Sequence, residues 1–146
     1  MHLKISSDVE SSLATVKQGF TEALFLKLSP PFPRVRLARF DGSSPGDIVS
    51  LELDFVLFKQ RWTSEIVSEA NTNQEWVFVD EGKELPFFLS RWRHQHEVHA
   101  QEDGARIVDN IEYATGWILT DIIMYPAMYL QFLYRKPIYK RFFSKK

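Results

Sequence analysis

The stretch 116–143 constrains the fold more than any other part of the chain. As far as Tyr134 it is apolar on nearly every side, and its apolar residues recur at steps of three and four, which is typical of a helix. The stripe that we expect to face the core consists of Ile118, Ile122, Tyr125, Tyr129 and Phe132. A helix this apolar is not expected to lie half in water, so the remaining chain should wrap around it.

Two prolines fall inside this helix. Within a continuous helix, Pro126 would remove a backbone hydrogen bond and clash with the preceding turn, at a cost of roughly 3 kcal/mol. We therefore expect a break or kink near Met124–Pro126 and another near Pro137. A break that lies over a cavity would act as a mobile lid.

The residues before the helix predict an antiparallel sheet. A strand is predicted at 2–6, two short helices within 8–28 with Ser7 or Asp8 as the N-cap, strands at 35–40, 47–58, 61–70 and 76–80, and a hairpin at 87–115. Consecutive hairpins make a sheet antiparallel, and its twist lets the concave face hold the last helix. The predicted fold is α+β: a curved antiparallel sheet of about seven strands wrapped around a long C-terminal helix, with two short helices after the first strand, in one domain spanning 1–146.

The strand at 47–58 alternates between apolar and polar residues. Its apolar face comprises Val49, Leu51, Leu53, Phe55 and Leu57. A turn at residues 59–60 would set Leu53 opposite Ile66, so that apolar side chains meet. The same register also sets Asp54 opposite Glu65, which is unfavourable because both are acidic.

The hairpin at 87–115 is the most informative part of the predicted sheet. Asp103-Gly104 is a strong signal for a two-residue turn, and centring the turn there sets His96 opposite Ile111. One face of the hairpin then carries Trp92, His94, His96, Val98, Ile107, Asp109, Ile111 and Tyr113. Charged and amide side chains occupy the reverse face, so we expect the face with tryptophan and histidine to lie inside.

His94 and His96 are the candidate polar site. They lie two apart on a strand, so both rings point the same way, and Asp109 is one diagonal step from His96. Three interpretations stay open: a satisfied internal network, an anchor for the polar end of a ligand, and a metal site. A metal site needs a third ligand that no residue is obviously placed to supply, and we predict none. Asp80 is predicted to end its strand as a turn residue.

Composition excludes several classes of function. Residues 133–146 carry six lysines and arginines and no acidic residue, whereas the net charge is −1, so the rest of the chain is acidic. That distribution argues against nucleic-acid binding, and the basic tail leaves open a weak contact with an anionic membrane. Absence of cysteine excludes disulfides and thiolate sites, and we predict no cofactor. The N-terminus shows no apolar signal region, so we expect a cytoplasmic protein.

The order of elements resembles the START/SRPBCC superfamily, also called birch-pollen-allergen-like or helix-grip proteins. Within it the chain is most similar to the ligand-binding and cyclase/dehydrase-like bacterial members. The matching segments are Leu85-Pro86-Phe87, Trp92-Arg93-His94-Gln95-His96 and Ile107-Val108-Asp109-Asn110-Ile111-Glu112-Tyr113. The resemblance implies a cavity between sheet and helix; because the superfamily includes lipid carriers, hormone receptors and cyclases, it does not fix the function.

We therefore expect a protein that binds or carries a hydrophobic small molecule, such as a lipid-like, isoprenoid or polycyclic compound. The predicted cavity is lined by Leu51, Leu53, Phe55, Trp92, Tyr113, Tyr125, Tyr129 and Phe132, with His94, His96 and Asp109 at its polar end. One alternative is a polyketide cyclase/dehydratase-like enzyme in which His94 or His96 acts as acid or base, oriented by Asp109. Another is a peripheral membrane or partner-binding module that uses residues 133–146. The oligomeric state is left open.

Overall fold

Seven antiparallel strands and three helices make up residues 1–145, the part of the chain that the computed structural model describes. The elements are β1 (His2–Val9), α1 (Leu13–Gly19), α2 (Glu22–Lys27), β2 (Arg34–Phe40), β3 (Ile48–Asp54), β4 (Lys59–Asn71), β5 (Glu75–Glu84), β6 (Arg91–Gln101), β7 (Gly104–Ala114) and α3 (Ile118–Phe142). The strands form one curled sheet in the order β1-β7-β6-β5-β4-β3-β2. The predicted fold class is confirmed. Lys146, the last residue of the predicted basic tail, lies outside the described residues.

The first strand is longer than predicted. Ser7 and Asp8 belong to β1 and pair with β7, so neither is a helix N-cap, contrary to the prediction. Ser12 takes that role for α1, because its hydroxyl oxygen accepts a hydrogen bond from the amide of Thr15 at 3.3 Å. Pairing along the whole length of β7 therefore outweighs the local capping signal.

The β3–β4 hairpin turns earlier than predicted. β3 ends at Asp54, and residues 55–58 form the turn, so that Leu53 lies opposite Gln60 and Asp54 lies opposite Lys59. The predicted register, with Asp54 opposite Glu65, is wrong. The observed register replaces a pair of like charges with a pair of opposite charges. Leu57, predicted to face the core, is 92% exposed at the tip of the turn.

The β6–β7 register is displaced by two residues from the prediction. Glu102 and Asp103 form the turn, Gly104 is already the first residue of β7, and His96 lies opposite Asp109 rather than Ile111. A shift by an even number of residues leaves every side chain on its predicted face. The predicted inward face is therefore the buried one, although its cross-strand partners differ.

α3 is continuous through Pro126 and Pro137, so the breaks predicted near them are absent from residues 118–142. Both prolines lie on the exposed side of the helix, where the carbonyl groups that lose their amide partners, those of Ile122 and Leu133, can be hydrated. Because the helix is unbroken at Pro126, the structure has no hinge there for the predicted mobile lid.

The buried side of α3 is not the predicted stripe. Its buried residues are Asp121, Met128, Phe132, Ile138 and Tyr139, whereas Ile118, Ile122 and Tyr129 of the predicted stripe are exposed. The expectation that the chain would wrap the helix on all sides is also wrong, since Ile123 on the outer side is 73% exposed. Because the helix is apolar around most of its circumference, periodicity alone does not select the inward side. Among the described residues, no helix combines the length and the apolar character needed to cross a bilayer.

Two hydrophobic clusters fix α3 against the sheet. The C-terminal cluster packs Ile138, Tyr139 and Phe143 against Trp76, Val98, Ile107 and the two short helices. The N-terminal cluster packs Met128 and Phe132 against Trp92, Tyr113, Ile111 and Leu3. The helix therefore contacts the β1 and β7 side of the sheet at both ends, and the concave face of β2–β6 is left to line an internal space.

Candidate functional site

A cavity of about 380 Å³ lies between the concave face of the sheet, α2 and α3. Its walls are supplied by α2, by strands β2–β6 and by the middle of α3, and most of the lining side chains are apolar or aromatic. Representative lining residues are Leu24, Leu51, Trp62, Phe78, Met128 and Phe132. This volume and character fall within the range of small-molecule sites in proteins.

The predicted site residues divide between the cavity and its surroundings. Those that line the cavity are Leu51, Leu53, Phe55, Trp92, His94, His96 and Phe132. Four predicted residues do not line it: Asp109, Tyr113, Tyr125 and Tyr129. α3 covers β7 directly, so the Tyr113 hydroxyl donates a hydrogen bond to the backbone carbonyl of Asp121 at 2.7 Å instead of reaching the cavity. Tyr125 stacks on Tyr129 away from the cavity, with ring centroids 6.2 Å apart.

Asp80 is a cavity residue that sequence reasoning missed. β5 runs on to Glu84, so Asp80 lies in mid-strand opposite His94 and is buried, and the prediction of a turn residue is wrong. One carboxylate oxygen accepts a hydrogen bond from Nε1 of Trp92 at 3.1 Å, and the other lies 2.6 Å from Nε2 of His96. The alternation of the strand held the signal, because Asp80 shares its face with Trp76 and Phe78.

The second histidine has its own carboxylate. Nε2 of His94 donates to Oδ1 of Asp109 at 2.8 Å, and both side chains are buried. Asp109 thus pairs with His94, although it lies opposite His96 in the sheet and was predicted to contact that residue. The hydrogen bond leaves Nδ1 of His94 as the nitrogen with the lone pair, 3.8 Å from Oδ2 of Asp80.

The imidazole rings are held by stacking as well as by hydrogen bonds. The rings of His94 and His96 stack with centroids 3.6 Å apart, and Phe78 stacks on the other side of His96 at 4.2 Å with its plane only 7° away. The edge of His94 also meets Phe132 of α3. Each ring is therefore fixed in orientation, and both line one wall of the cavity.

Burial and neighbouring polar groups together set the charge of this wall. Burial lowers the pKa of His94 to about 4, aided by the charge on His96, and the Asp109 hydrogen bond only partly opposes the effect. Burial opposes ionisation of Asp80, but the hydrogen bond and charge of His96 outweigh it and lower the pKa of the carboxyl group. Asp109 behaves in the same way: burial opposes its ionisation, and contacts with His94 and Arg135 nevertheless lower its pKa. At neutral pH His94 is therefore a neutral imidazole between two carboxylates.

Comparisons with known proteins identify the fold. Neither protein-family models nor curated protein sequences match this sequence. Solved structures do match: the Zhui aromatase/cyclase from Streptomyces sp. R1128 has a TM-score of 0.71 at 11% identity, with 94% of this chain and 89% of that chain covered. A norcoclaurine synthase point mutant from Thalictrum flavum, in complex with a transition-state analogue, has a TM-score of 0.61 at 13% identity, with 91% and 89% covered. Ara h 8.0201 has a TM-score of 0.58 at 11% identity, with 94% and 96% covered.

The chain has the helix-grip fold. At these identities the likeness extends to the fold alone, so the chemistry of the site has to be argued from the side chains of this chain.

In this helix-grip fold the long helix also supplies polar groups to the cavity. Arg135 and Gln131 both line it, and neither was among the predicted site residues. Nη1 of Arg135 lies 3.8 Å from Oδ1 of Asp109, and the guanidinium group lies over the ring of Phe132 at 4.4 Å. Gln131 and Arg135 lie one helical turn apart, next to Phe132. Their position in the cavity could have been predicted if the inward side of α3 had been known.

Tyr139 completes the buried polar cluster below Arg135. Burial raises the pKa of its phenol, and the nearby Asp109 carboxylate adds to the effect. The hydroxyl group therefore stays protonated at neutral pH.

Proposed function

We propose that this protein binds a hydrophobic small molecule in the helix-grip cavity, with lipid-like, isoprenoid and polycyclic compounds as the candidate classes. The observation that carries the proposal is a cavity of about 380 Å³ whose mostly apolar wall includes a cluster of buried polar side chains, Asp80, His94 and His96. Apolar walls supply affinity, and a few fixed polar groups orient the ligand.

The positions of the polar groups define the expected orientation of the ligand. His96 and Arg135 both line the cavity, the first from β6 and the second from α3. A hydroxyl, carbonyl or carboxylate group at one end of the ligand would meet these two residues. The apolar body would then lie against Leu51, Leu53 and Trp92. The preference for a polar end follows because Arg135 always carries its charge and is a hydrogen-bond donor.

Extraction of the purified full chain tests the proposal directly. Denaturing mass spectrometry of an organic extract should show a small molecule bound to the protein. Thermal unfolding with oleate, farnesol and anthraquinone as probes should show stabilisation by at least one, amounting to about 2.7 kcal/mol at a hundredfold excess over Kd. An empty extract together with unchanged thermal unfolding for every probe would overturn the proposal.

A matched pair of variants separates the cavity from the surface. Leu51→Trp places a larger side chain into the cavity and should abolish the probe-induced stabilisation. Leu26→Trp changes the same residue type at an exposed position of α2 outside the cavity lining, and should leave the stabilisation unchanged. Equal effects of the two variants would place binding elsewhere.

A second candidate function is catalysis of a cyclase or dehydratase type. It is favoured by the lone pair on Nδ1 of His94, because Asp109 orients this imidazole and leaves that nitrogen free to accept a proton from a bound substrate. His96 with Asp80 could supply the corresponding acid. With a poly-β-ketone analogue as substrate, His94→Ala should abolish turnover and largely preserve affinity. Loss of affinity without any turnover in the unmodified protein would eliminate this candidate.

A third candidate is docking on an anionic membrane. The outer face of α3, which we define as Ile118, Leu119, Ile122, Ile123, Leu130 and Leu133, is apolar and exposed. Lys140 lies about two turns after Leu133, and Arg141 lies about three turns after Leu130, so both lie on the same side of the helix as these leucines. The turn after β3 reaches the same end of the sheet as the start of α3, and Leu57 in that turn is also exposed. An apolar face that ends in basic residues is typical of helices that lie in the membrane interface.

Flotation with liposomes tests the membrane candidate. The protein should float with vesicles that contain phosphatidylserine, and not with vesicles of phosphatidylcholine alone, at low salt. The double variant Lys140→Glu/Arg141→Glu should stay at the bottom of the gradient, whereas Lys83→Glu on β5 should still float. Absence of flotation combined with self-association in sedimentation would assign the outer face of α3 to a second copy of the chain.

A further inference from the structure

We propose that Asp80, His94 and His96 form a binding site for a divalent first-row transition-metal ion on the wall of the cavity. The donor atoms of the three buried residues all lie within 4.8 Å of one another. Oδ2 of Asp80 is 2.6 Å from Nε2 of His96 and 3.8 Å from Nδ1 of His94. Small movements of the three side chains bring such donors to the distance of about 2.0–2.2 Å from a common ion that nitrogen and carboxylate ligands require.

In His94 and Asp80, the polar atom that would not bind the ion already has a hydrogen-bond partner. Nε2 of His94 donates to Asp109, which is the carboxylate–histidine arrangement that orients metal-binding imidazoles. Nε1 of Trp92 donates to Oδ1 of Asp80, which leaves Oδ2 directed at the histidines. Nδ1 of His94 accepts no hydrogen bond from residues 1–145, so its lone pair is available.

The charges also suit a cation. The site combines two imidazoles with one carboxylate, all of them buried. A divalent ion would displace the proton that now lies between Nε2 of His96 and Oδ2 of Asp80, so the wall would gain one positive charge rather than two. The nearby positive charge of Arg135 is directed at Asp109 instead.

The donor set selects the kind of metal. Two nitrogens and one carboxylate oxygen favour zinc, iron or cobalt over magnesium and calcium, which prefer oxygen ligands only. All three residues line the cavity, so the remaining coordination positions of the ion would face the space in which we propose that a ligand binds. The site itself does not depend on that proposal, because metal binding can be measured with the cavity empty.

Cobalt is the most informative probe, because its visible absorption reports the ligand geometry. The full chain is treated with chelator, dialysed and titrated with Co²⁺ alone, with no organic ligand present. One ion per chain should bind, visible absorption bands should appear, and Zn²⁺ should displace the cobalt. His94→Ala, His96→Ala and Asp80→Asn should each abolish the bands, and Asp109→Asn should weaken binding by about 10–100-fold.

A surface histidine provides the matched control. Nε2 of His99 lies 2.9 Å from Glu97 and Nδ1 lies 3.4 Å from Glu75, so it is also an imidazole beside carboxylates, yet it is outside the cavity. His99→Ala should leave the titration unchanged. Loss of the bands in this variant, or no bands at all in the unmodified chain, would overturn the proposal.

Nuclear magnetic resonance of the unmodified protein covers the case in which the variants fail to fold. Paramagnetic Co²⁺ should shift the imidazole resonances of His94 and His96 strongly and leave those of His2 and His99 near their original positions. Shifts confined to the two surface histidines would mean an adventitious ion and would refute the site. Since organic extraction and cobalt titration are separate measurements, failure of one proposal does not imply failure of the other.

Discussion

The carbonyl oxygen of Val9 occupies the position that a side chain would need at Gly104. A Cβ atom on Gly104 would lie 2.0 Å from this oxygen, far closer than van der Waals contact allows, and the residue has φ +148°. Gly104 therefore permits the end of β1 to approach β7. Its role in the chain is this close approach rather than a place within the turn.

Substitution of Gly104 should test this role. Gly104→Ala combines an unfavourable φ with a backbone clash and should lower the free energy of unfolding by about 3 kcal/mol. Gly46→Ala, at φ +93° with no atom within 4 Å, isolates the conformational cost and should lose about 1 kcal/mol. Urea unfolding followed by circular dichroism measures both. Equal losses would contradict the close approach.

The inward side of α3 can be checked by two truncations of apolar side chains. Phe132 is buried in the N-terminal cluster, so Phe132→Ala should cost about 3–5 kcal/mol of unfolding free energy. Leu130, two residues away, is 62% exposed, and Leu130→Ala should change stability by less than about 0.5 kcal/mol. Chemical unfolding of the two variants gives the comparison, and a larger loss for Leu130→Ala would mean that the helix is rotated.

Removal of the Asp80 carboxylate should destabilise the sheet. Asp80→Ala leaves the Trp92 indole and the His96 imidazole without their acceptor, at a cost of about 3 kcal/mol. Asp103→Ala in the exposed β6–β7 turn serves as the control and should be nearly neutral. Urea unfolding monitored by tryptophan fluorescence reports the loss. Wild-type stability in Asp80→Ala would show that the hydrogen bonds do not form.

Tyr139 should make the protein sensitive to alkali. Its folded-state pKa is raised above the ordinary value of about 10, first by burial and then by Asp109, with Arg135 opposing. An acid whose pKa is raised on folding stabilises the native state fully below its unfolded pKa, and this stability is lost as pH rises above 10. Tyr139→Phe should therefore reduce the decline between pH 10 and 12 in unfolding experiments. An identical decline in both proteins would contradict the shifted titration.

Replacement of Pro126 should stabilise α3. Pro126→Ala restores an amide that can donate to the carbonyl of Ile122, and the gain should be about 1–3 kcal/mol. Thermal unfolding measures the change, and the new amide at residue 126 should be protected from hydrogen exchange. No gain in stability would contradict the expected hydrogen bond between the amide of residue 126 and the carbonyl of Ile122.

The order of elements was predictable because alternation and turn residues are local signals. Register was less predictable, because it depends on which residues meet across the strands. Asp103-Gly104 marked the β6–β7 turn to within one position, but the contact between Gly104 and Val9 involves a third strand that local pattern does not reveal. The like-charge contact of Asp54 with Glu65 was already a sign that the predicted β3–β4 register was wrong.

The candidate site was half predictable from sequence. His94 and His96 were found because both lie on one short alternating strand. Asp80 required the correct length of β5, and Arg135 required the inward side of a helix that is apolar almost all round. The prediction that Tyr113 and Tyr129 line the cavity was wrong for the same reason. The packing of α3 on β7 decides which aromatic rings reach the cavity.

Attachment of α3 by two separate clusters has a consequence for the dimensions of the cavity. With Phe132 fixed at the middle of the helix and Tyr139 and Phe143 fixed at its C-terminal end, the helix cannot move outward without breaking a cluster. Additional space must come from rotation of flexible side chains, and Met124 and Met128 are the unbranched thioethers on the cavity wall. The width of the ligands that the cavity accommodates is therefore set by the rotamers of these two methionines. Replacement of either by a β-branched residue would reduce the range of ligand widths that fit.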